Sequence, residues 1–146
     1  MVFKRIMAIL FSAIMLCSSL TASAYAETTS AFVDGGITPA YEIAGNPRSI
    51  LDISGKTAYC TSSTNGNGAV SITIEQTLEK QGFLWIWGDV KDASWTKTVS
   101  KNSITFDNSK GSLSNGKYRV KSVFTLTDSK GTTETFTIYS AEKTVG

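Results

Sequence analysis

Residues 113–126, LSNGKYRVKSVFTL, alternate apolar and polar side chains with a period of two. The apolar positions are Tyr118, Val120, Phe124 and Leu126, and polar residues occupy most positions between them. A period of two places the apolar set on one face of a β-strand and the polar set on the other. The stretch therefore predicts a strand that packs one face against a core.

The same pattern returns after a turn signal. The sequence DSKG at residues 128–131 supplies residues that tolerate tight-turn conformations. Phe136 and Ile138 then repeat the alternation. Residues 117–140 are therefore predicted to form a β-hairpin.

Turn signals recur upstream, and the segments between them also alternate. The signals stand at residues 65–68 (NGNG), 108–111 (NSKG) and 114–116 (SNG). In residues 70–78, Val70, Ile72, Ile74 and Leu78 are expected to share one face. No helical stripe of useful length follows the N-terminal region. The fold class is therefore predicted to be all-β, an antiparallel β-sandwich of about seven strands.

Tyr118 and Cys60 refine this fold to an immunoglobulin-like sandwich. Tyr118 starts its strand two residues after Gly116, at the position of the tyrosine corner, where the hydroxyl bonds to nearby backbone. In antibody domains a disulfide cysteine stands two residues after that tyrosine, but here the position is Val120. Cys60, on the predicted second strand, is therefore expected to be a buried free thiol that fills core space. The alternative is a disulfide between two chains.

Residues 1–26 have the organisation of a secretory signal peptide. Lys4 and Arg5 precede an apolar run over residues 6–20, which is shorter than the roughly 20 residues needed to span a membrane. Small residues at Ala24 and Ala26 then predict cleavage after Ala26, with cleavage after Ala24 as the second choice. The protein is expected to be secreted and extracellular, with no transmembrane anchor after processing.

Removal of this segment changes the charge of the chain. The whole chain has 14 Lys and Arg against 12 Asp and Glu, and the signal peptide holds two of the basic residues. The mature chain is therefore neutral, which argues against a nucleic-acid partner. Residues 27–48 are predicted to be an extended leader, and residues 49–146 to be the β-sandwich domain. We expect a monomer.

Several short motifs resemble those of a family of small secreted proteins of Gram-positive Firmicutes to which no activity is assigned. The motifs are TPAYE (38–42), ISGKTAYC (53–60), WIWGDVKDASW (85–95), GKYRVKSVFTLTD (116–128) and YSAEKTV (139–145). The resemblance implies secretion and an immunoglobulin-like β-sandwich. It implies no catalytic residues.

The chain contains no histidine, which excludes Ser-His-Asp and Cys-His catalysis and His-ligated zinc. The acidic residues stand mostly at turn-like positions, where carboxylates ordinarily hydrogen-bond the loop. Asp107 begins DNSKG, which lacks the further carboxylates of a calcium loop. We therefore expect no enzyme, no catalytic residue, no cofactor and no metal site.

The stretch FLWIWGDVKDASW, residues 83–95, is the candidate binding site. Strand alternation would place Phe83, Trp85 and Trp87 on one face as an aromatic platform for a glycan or protein ligand. The structural alternative is that one face joins the core and the other is covered. The predicted function is a secreted, non-enzymatic binding module at or near the bacterial cell envelope. The alternative is a secreted effector, such as a bacteriocin-like antagonist or an inhibitor.

Overall fold

The computed structural model describes residues 41–146, which contain eight β-strands. The strands are β1 (Ala44–Ser54), β2 (Thr57–Gly66), β3 (Ala69–Gln81), β4 (Trp87–Val99), β5 (Ser103–Lys110), β6 (Gly116–Asp128), β7 (Thr133–Tyr139) and β8 (Lys143–Val145). A short 3-10 turn, Phe83–Trp85, connects β3 to β4. The predicted signal peptide, its cleavage after Ala26 and the leader as far as residue 40 lie outside the described residues. Within residues 41–146, no helix has the length and apolar character needed to cross a membrane.

The strands form two antiparallel sheets that pack face to face, so the prediction of an all-β sandwich is confirmed. The first sheet has the order β1-β2-β5 and the second has the order β4-β3-β6-β7. The short strand β8 also pairs with β6, through Gly116, Lys117 and Tyr118. It brings the number of strands in the described residues to eight rather than about seven.

The central strand β6 shows why the sequence forms this architecture. Its buried residues are every second one: Tyr118, Val120, Ser122, Phe124 and Leu126. β7 pairs with β6 across the turn that contains Gly131, whose φ of 84° suits glycine. The hairpin predicted over residues 117–140 is therefore present.

Two predicted boundaries are wrong. The sequence predicts a turn at residues 108–111, but β5 continues to Lys110 and pairs there with Ala58. The side chain of Asn108 points inward, because its amide donates a hydrogen bond to Gln76 on the facing sheet at 2.8 Å. The domain also begins before Ser49, because β1 starts at Ala44, which is buried in the core.

The start of β3 contains a β-bulge that the alternation of apolar and polar residues in the sequence does not reveal. The pairing of β3 with β6 shifts between Ala69 and Ser71. A bulge moves side chains to the opposite face. Ala69 is therefore buried, whereas Val70 is exposed and does not share the face of Ile72.

The apolar core consists of two clusters, each with contributions from both sheets. The Phe124 cluster contains Ile43, Ala44, Ala69, Ile72, Ile74, Ile104, Phe124, Leu126 and Phe136. The Tyr118 cluster contains Leu51, Ala58, Cys60, Leu78, Ala93, Leu113, Tyr118, Val120 and Val145. The first lies toward the start of β1, and the second toward the turns that follow β1, β3 and β5.

A polar belt of five side chains separates these clusters: Ser49, Ser62, Gln76, Asn108 and Ser122. The Ser122 hydroxyl bonds to those of Ser49 and Ser62, at 2.8 and 2.7 Å. The Gln76 amide donates to the Ser62 hydroxyl at 2.6 Å and accepts from Asn108 at 2.8 Å. Within residues 41–146, every buried side-chain nitrogen and oxygen has a hydrogen-bond partner. A polar core layer can persist because its desolvation is offset in this way.

Candidate functional site

Four consecutive large apolar residues between β3 and β4 face solvent. The exposed fractions are 86% for Phe83, 63% for Leu84, 76% for Trp85 and 67% for Ile86. These four residues are called the apolar tip below. No two of the other exposed large apolar residues in residues 41–146 are adjacent in sequence, and the most exposed of them is Tyr59 at 51%. Contiguous exposed apolar surface marks interaction sites, whereas isolated residues are ordinary.

The backbone of the apolar tip is a tight reversal with an unfavourable conformation. Leu84 and Trp85 have φ values of 56° and 59°, and the Ile86 amide donates to the Phe83 carbonyl at 3.3 Å. Positive φ at both central residues is the pattern of a type I′ hairpin turn, which strongly prefers Asn-Gly. Each left-handed residue other than glycine costs roughly 1–2 kcal/mol. The chain thus uses two large apolar residues where small polar ones are favoured.

This geometry overturns the predicted aromatic platform. Phe83, Trp85 and Trp87 do not share a strand face, because the chain reverses between Phe83 and Ile86 and β4 begins only at Trp87. The misleading signal was the run of aromatic and β-branched residues, which has high β-propensity. Gly82, whose amide donates to the Ile86 carbonyl at 2.8 Å, was the available sign of the reversal.

Trp87 belongs to a separate structure on the outer face of the second sheet. It is half-buried, and the guanidinium of Arg119 lies 4.3 Å from its ring centroid. The same guanidinium lies 4.1 Å from the Tyr139 ring and donates to the Glu79 carboxylate at 2.6 Å. Cation–π contacts of this kind hold an aromatic ring against the sheet. One face of the Trp87 ring is therefore already occupied within the chain.

Five lysines lie at the same end of the sandwich as the apolar tip. This lysine collar contains Lys56, Lys80, Lys110, Lys117 and Lys143. Strand pairing and a hydrogen bond bring its segments together: Tyr118 pairs with both Lys80 and Lys143, and the Leu113 amide donates to the Lys56 carbonyl at 3.0 Å. The collar combines residues from five strands and turns, so no local motif reveals it.

The collar lies in segments without acidic residues. Asp and Glu are missing from residues 54–57, 80–88, 110–118 and 143–146. Glu142 pairs with Lys117 at 3.3 Å on the surface, where an ion pair contributes little. These four segments therefore contribute only positive side-chain charge to the tip end, although residues 27–146 contain equal numbers of acidic and basic residues.

Cys60 lies in the Tyr118 cluster and is 1% exposed. Desolvation by burial raises the pKa of its thiol to about 12. A nucleophilic cysteine needs the opposite shift, toward a stable thiolate. The environment therefore suits a packing role and opposes thiol chemistry.

Tyr118 is buried, and its hydroxyl donates to the Ser114 carbonyl at 2.7 Å. This bond ties the start of β6 to the loop that precedes it.

Within residues 41–146, no three His, Cys, Asp or Glu side chains are grouped to hold a metal ion.

No family model matches the chain, and no curated protein matches it. Among solved structures, the chain is similar to wild-type OgpA from Akkermansia muciniphila, with a TM-score of 0.36 and 13% sequence identity. The similarity covers 75% of this chain and 33% of that chain, so this chain spans about a third of OgpA. A TM-score this low assigns neither a fold nor a function to this chain.

Proposed function

We propose that the protein is a secreted, non-enzymatic binding module that acts at or near the bacterial cell envelope through its apolar tip. The observation that carries the proposal is the tip itself, where four consecutive large apolar side chains are 63–86% exposed. Such exposure opposes solubility and adds nothing to the core. The left-handed backbone at Leu84 and Trp85 adds a folding cost. A binding role accounts for both costs.

The strand arrangement supports an immunoglobulin-like sandwich as the scaffold for this site. Sheets of order β1-β2-β5 and β4-β3-β6-β7 place the second, third and sixth strands centrally, as expected for this type of fold. The bond from the Tyr118 hydroxyl to the Ser114 carbonyl has the geometry of a tyrosine corner. In this scaffold the apolar tip is a loop between strands, and such loops commonly carry binding residues.

Capture of the labelled protein by Gram-positive envelope fractions tests the proposal. Phe83→Ala together with Trp85→Ala should abolish capture and leave the melting temperature nearly unchanged, because exposed rings contribute little to folding. Tyr59→Ala is the matched control, since it removes an exposed aromatic residue outside the tip. Equal capture by the tip variant and the control would contradict the proposal. Growth inhibition of neighbouring cells that needs the tip would instead support the effector alternative.

A further inference from the structure

We propose that the apolar tip inserts into the interfacial region of an anionic lipid bilayer while the lysine collar contacts the lipid headgroups. This inference rests on the proposed binding function and names the class of its ligand. It follows from three properties of the tip end: the shape of the apolar surface, the hydrogen bonding of the tip backbone, and the distribution of charge.

The shape of the tip favours a bilayer over a glycan. A sugar ring stacks on a flat aromatic face. Here the chain reverses between Phe83 and Ile86, and the neighbouring ring of Trp87 already contacts Arg119. A convex turn with four apolar side chains can instead enter a deformable apolar phase. Trp85 suits this depth, because tryptophan concentrates at membrane–water interfaces.

Two backbone hydrogen bonds within the tip lower the cost of moving it into a medium poor in water. Unpaired peptide groups oppose entry into lipid, since each loses its hydrogen bonds to water. The Ile86 amide bonds to the Phe83 carbonyl, and the Gly82 amide bonds to the Ile86 carbonyl at 2.8 Å. Residues 81–88 contain no charged side chain. The turn therefore presents apolar side chains while it satisfies part of its own backbone.

The charge of the surrounding surface selects anionic lipid. The five collar lysines lie at the same end of the sandwich as the tip, and in the described residues only one of them, Lys117, forms an ion pair with an acidic side chain, Glu142. Lysines near an anionic bilayer are attracted to it, and salt screens that attraction. The opposite end of the sandwich carries Lys101 and Lys130 together with acidic residues at Glu42, Asp128 and Glu134. Only the tip end thus combines apolar insertion with positive charge among the described residues.

Co-sedimentation with vesicles tests the inference. The protein is used in its processed form, with its N-terminus determined by mass spectrometry. It should bind vesicles made from a mixture of phosphatidylglycerol and phosphatidylcholine, and high salt should weaken that binding. Leu84→Asn with Trp85→Gly keeps a favoured type I′ turn and should reduce binding by about tenfold or more, because two apolar side chains are lost. Val70→Ser, at the opposite end, is the matched control and should bind normally.

Two further measurements identify the contacts. Brominated lipid should quench tryptophan fluorescence in the parent protein, and Trp85→Phe should lose most of that quenching while it still binds. Lys56→Gln with Lys110→Gln should weaken binding to anionic vesicles and leave the weaker binding to pure phosphatidylcholine unchanged. Equal weakening on both kinds of vesicle would overturn the role of the collar.

The outcomes separate this inference from the proposed function. If anionic vesicles do not bind the protein, or bind the tip variant equally well, insertion into lipid is wrong. Tip-dependent capture by delipidated envelope material would then identify a glycan or protein ligand, and the binding module would stand. If neither vesicles nor envelope material require the tip, both proposals are wrong.

Discussion

At the end of the sandwich where β1 begins, the chain covers the aromatic side chains of Phe124 and Phe136, whereas at the opposite end four consecutive large apolar side chains face solvent. The first is called the closed end here and the second the tip end. At the closed end, the Tyr41 ring lies 4.2 Å from the Phe136 ring, which in turn lies 5.3 Å from Phe124. At the tip end, the Phe83 and Trp85 side chains are 86% and 76% exposed.

At the closed end, one carboxylate holds three consecutive backbone amides, and the Asn67 amide donates to the Ile43 carbonyl of the same segment at 2.6 Å. Glu134 on β7 accepts hydrogen bonds from the amides of Glu42, Ile43 and Ala44, at 3.1, 3.0 and 2.9 Å. These bonds hold the segment that precedes β1 against the second sheet, and Ile43 enters the core. Hydrogen bonds to a charged acceptor are the stronger ones.

The difference between the ends teaches that residue type does not decide burial here. Both ends carry phenylalanine and bulky aliphatic side chains. At the closed end a polar anchor places a further segment of chain over them. In the described residues, no such anchor acts at the tip. The tip side chains should therefore be available for a partner and nearly neutral for stability.

The largest expected effect is a difference in the free energy of unfolding between a mutation at the closed end and one at the tip end. Phe136→Ala should lower the free energy of unfolding by about 3–5 kcal/mol, because it loses buried apolar contact and leaves a cavity. Trp85→Ala should change it by less than about 0.5 kcal/mol, as expected for an exposed site. Urea denaturation measures both. Similar losses in the two variants would show that the tip is packed in solution.

Glu134→Gln should cost about 1–3 kcal/mol, because one carboxylate oxygen is replaced by an amide nitrogen that cannot accept the amide protons facing it. Hydrogen exchange at Ile43 and Ala44 should accelerate together with the loss of stability. Glu142→Gln is the control, since it removes only a surface ion pair with Lys117. Unchanged exchange at Ile43 and Ala44 would contradict the anchoring role of Glu134.

At the tip end, Tyr118→Phe should cost about 1–2 kcal/mol, because the Ser114 carbonyl loses its buried donor. Tyr59→Phe, which alters an exposed tyrosine, should have no measurable effect. Thermal melts of the two variants test the tyrosine corner. Equal melting temperatures would argue against the immunoglobulin-like assignment and leave the sandwich intact.

Leu84→Asn should raise the free energy of unfolding by about 1 kcal/mol, because asparagine adopts left-handed conformations at lower cost. The same substitution would then stabilise the fold and weaken ligand binding. Leu78→Asn offers the opposite case, because it buries an amide in the core and should destabilise strongly. A loss of stability in Leu84→Asn would contradict the left-handed turn.

The smallest effect concerns the β6–β7 turn at the closed end. Backbone hydrogen bonds from Thr132 and Lys130 hold the pKa of Asp128 below its ordinary value. A lowered folded-state pKa stabilises the protein above the ordinary carboxyl range, and this contribution is lost as the pH falls below about 4. Asp128→Asn should therefore reduce the acid dependence of the melting temperature slightly. An NMR titration of Asp128 that shows an ordinary pKa would contradict this.

The sequence was sufficient where the contacts that matter are local. Alternation in Tyr118 to Leu126 places β6 correctly, and the DSKG turn places β7. Asn108 was misplaced in a turn because asparagine favours turns, whereas its amide bonds to Gln76 on the other sheet. That contact joins residues far apart in the chain, so no window of sequence contains it.

Composition indicates where the candidate site lies, but the local pattern predicts the wrong geometry for it. The aromatic content of residues 83–87 identified the right segment, but its β-propensity predicted a continuous strand. A type I′ turn with leucine and tryptophan at its centre contradicts local preference, so pattern reasoning cannot find it. The lysine collar has no local signature for another reason, since its members lie at the ends of four strands and in one turn that meet only in the folded chain.

The polar belt limits the ways in which the two sheets can be misassembled. Hydrophobic alternation alone would accept a strand that has slipped by two residues, because the apolar face would still point inward. Such a slip of β3 would move Gln76 away from Ser62 and Asn108 and bury its amide against apolar neighbours. Each unsatisfied polar group would then cost about 1–3 kcal/mol. The polar belt therefore selects the native strand register. Other registers would bury nearly as much apolar surface, but they would leave the polar side chains without hydrogen-bond partners.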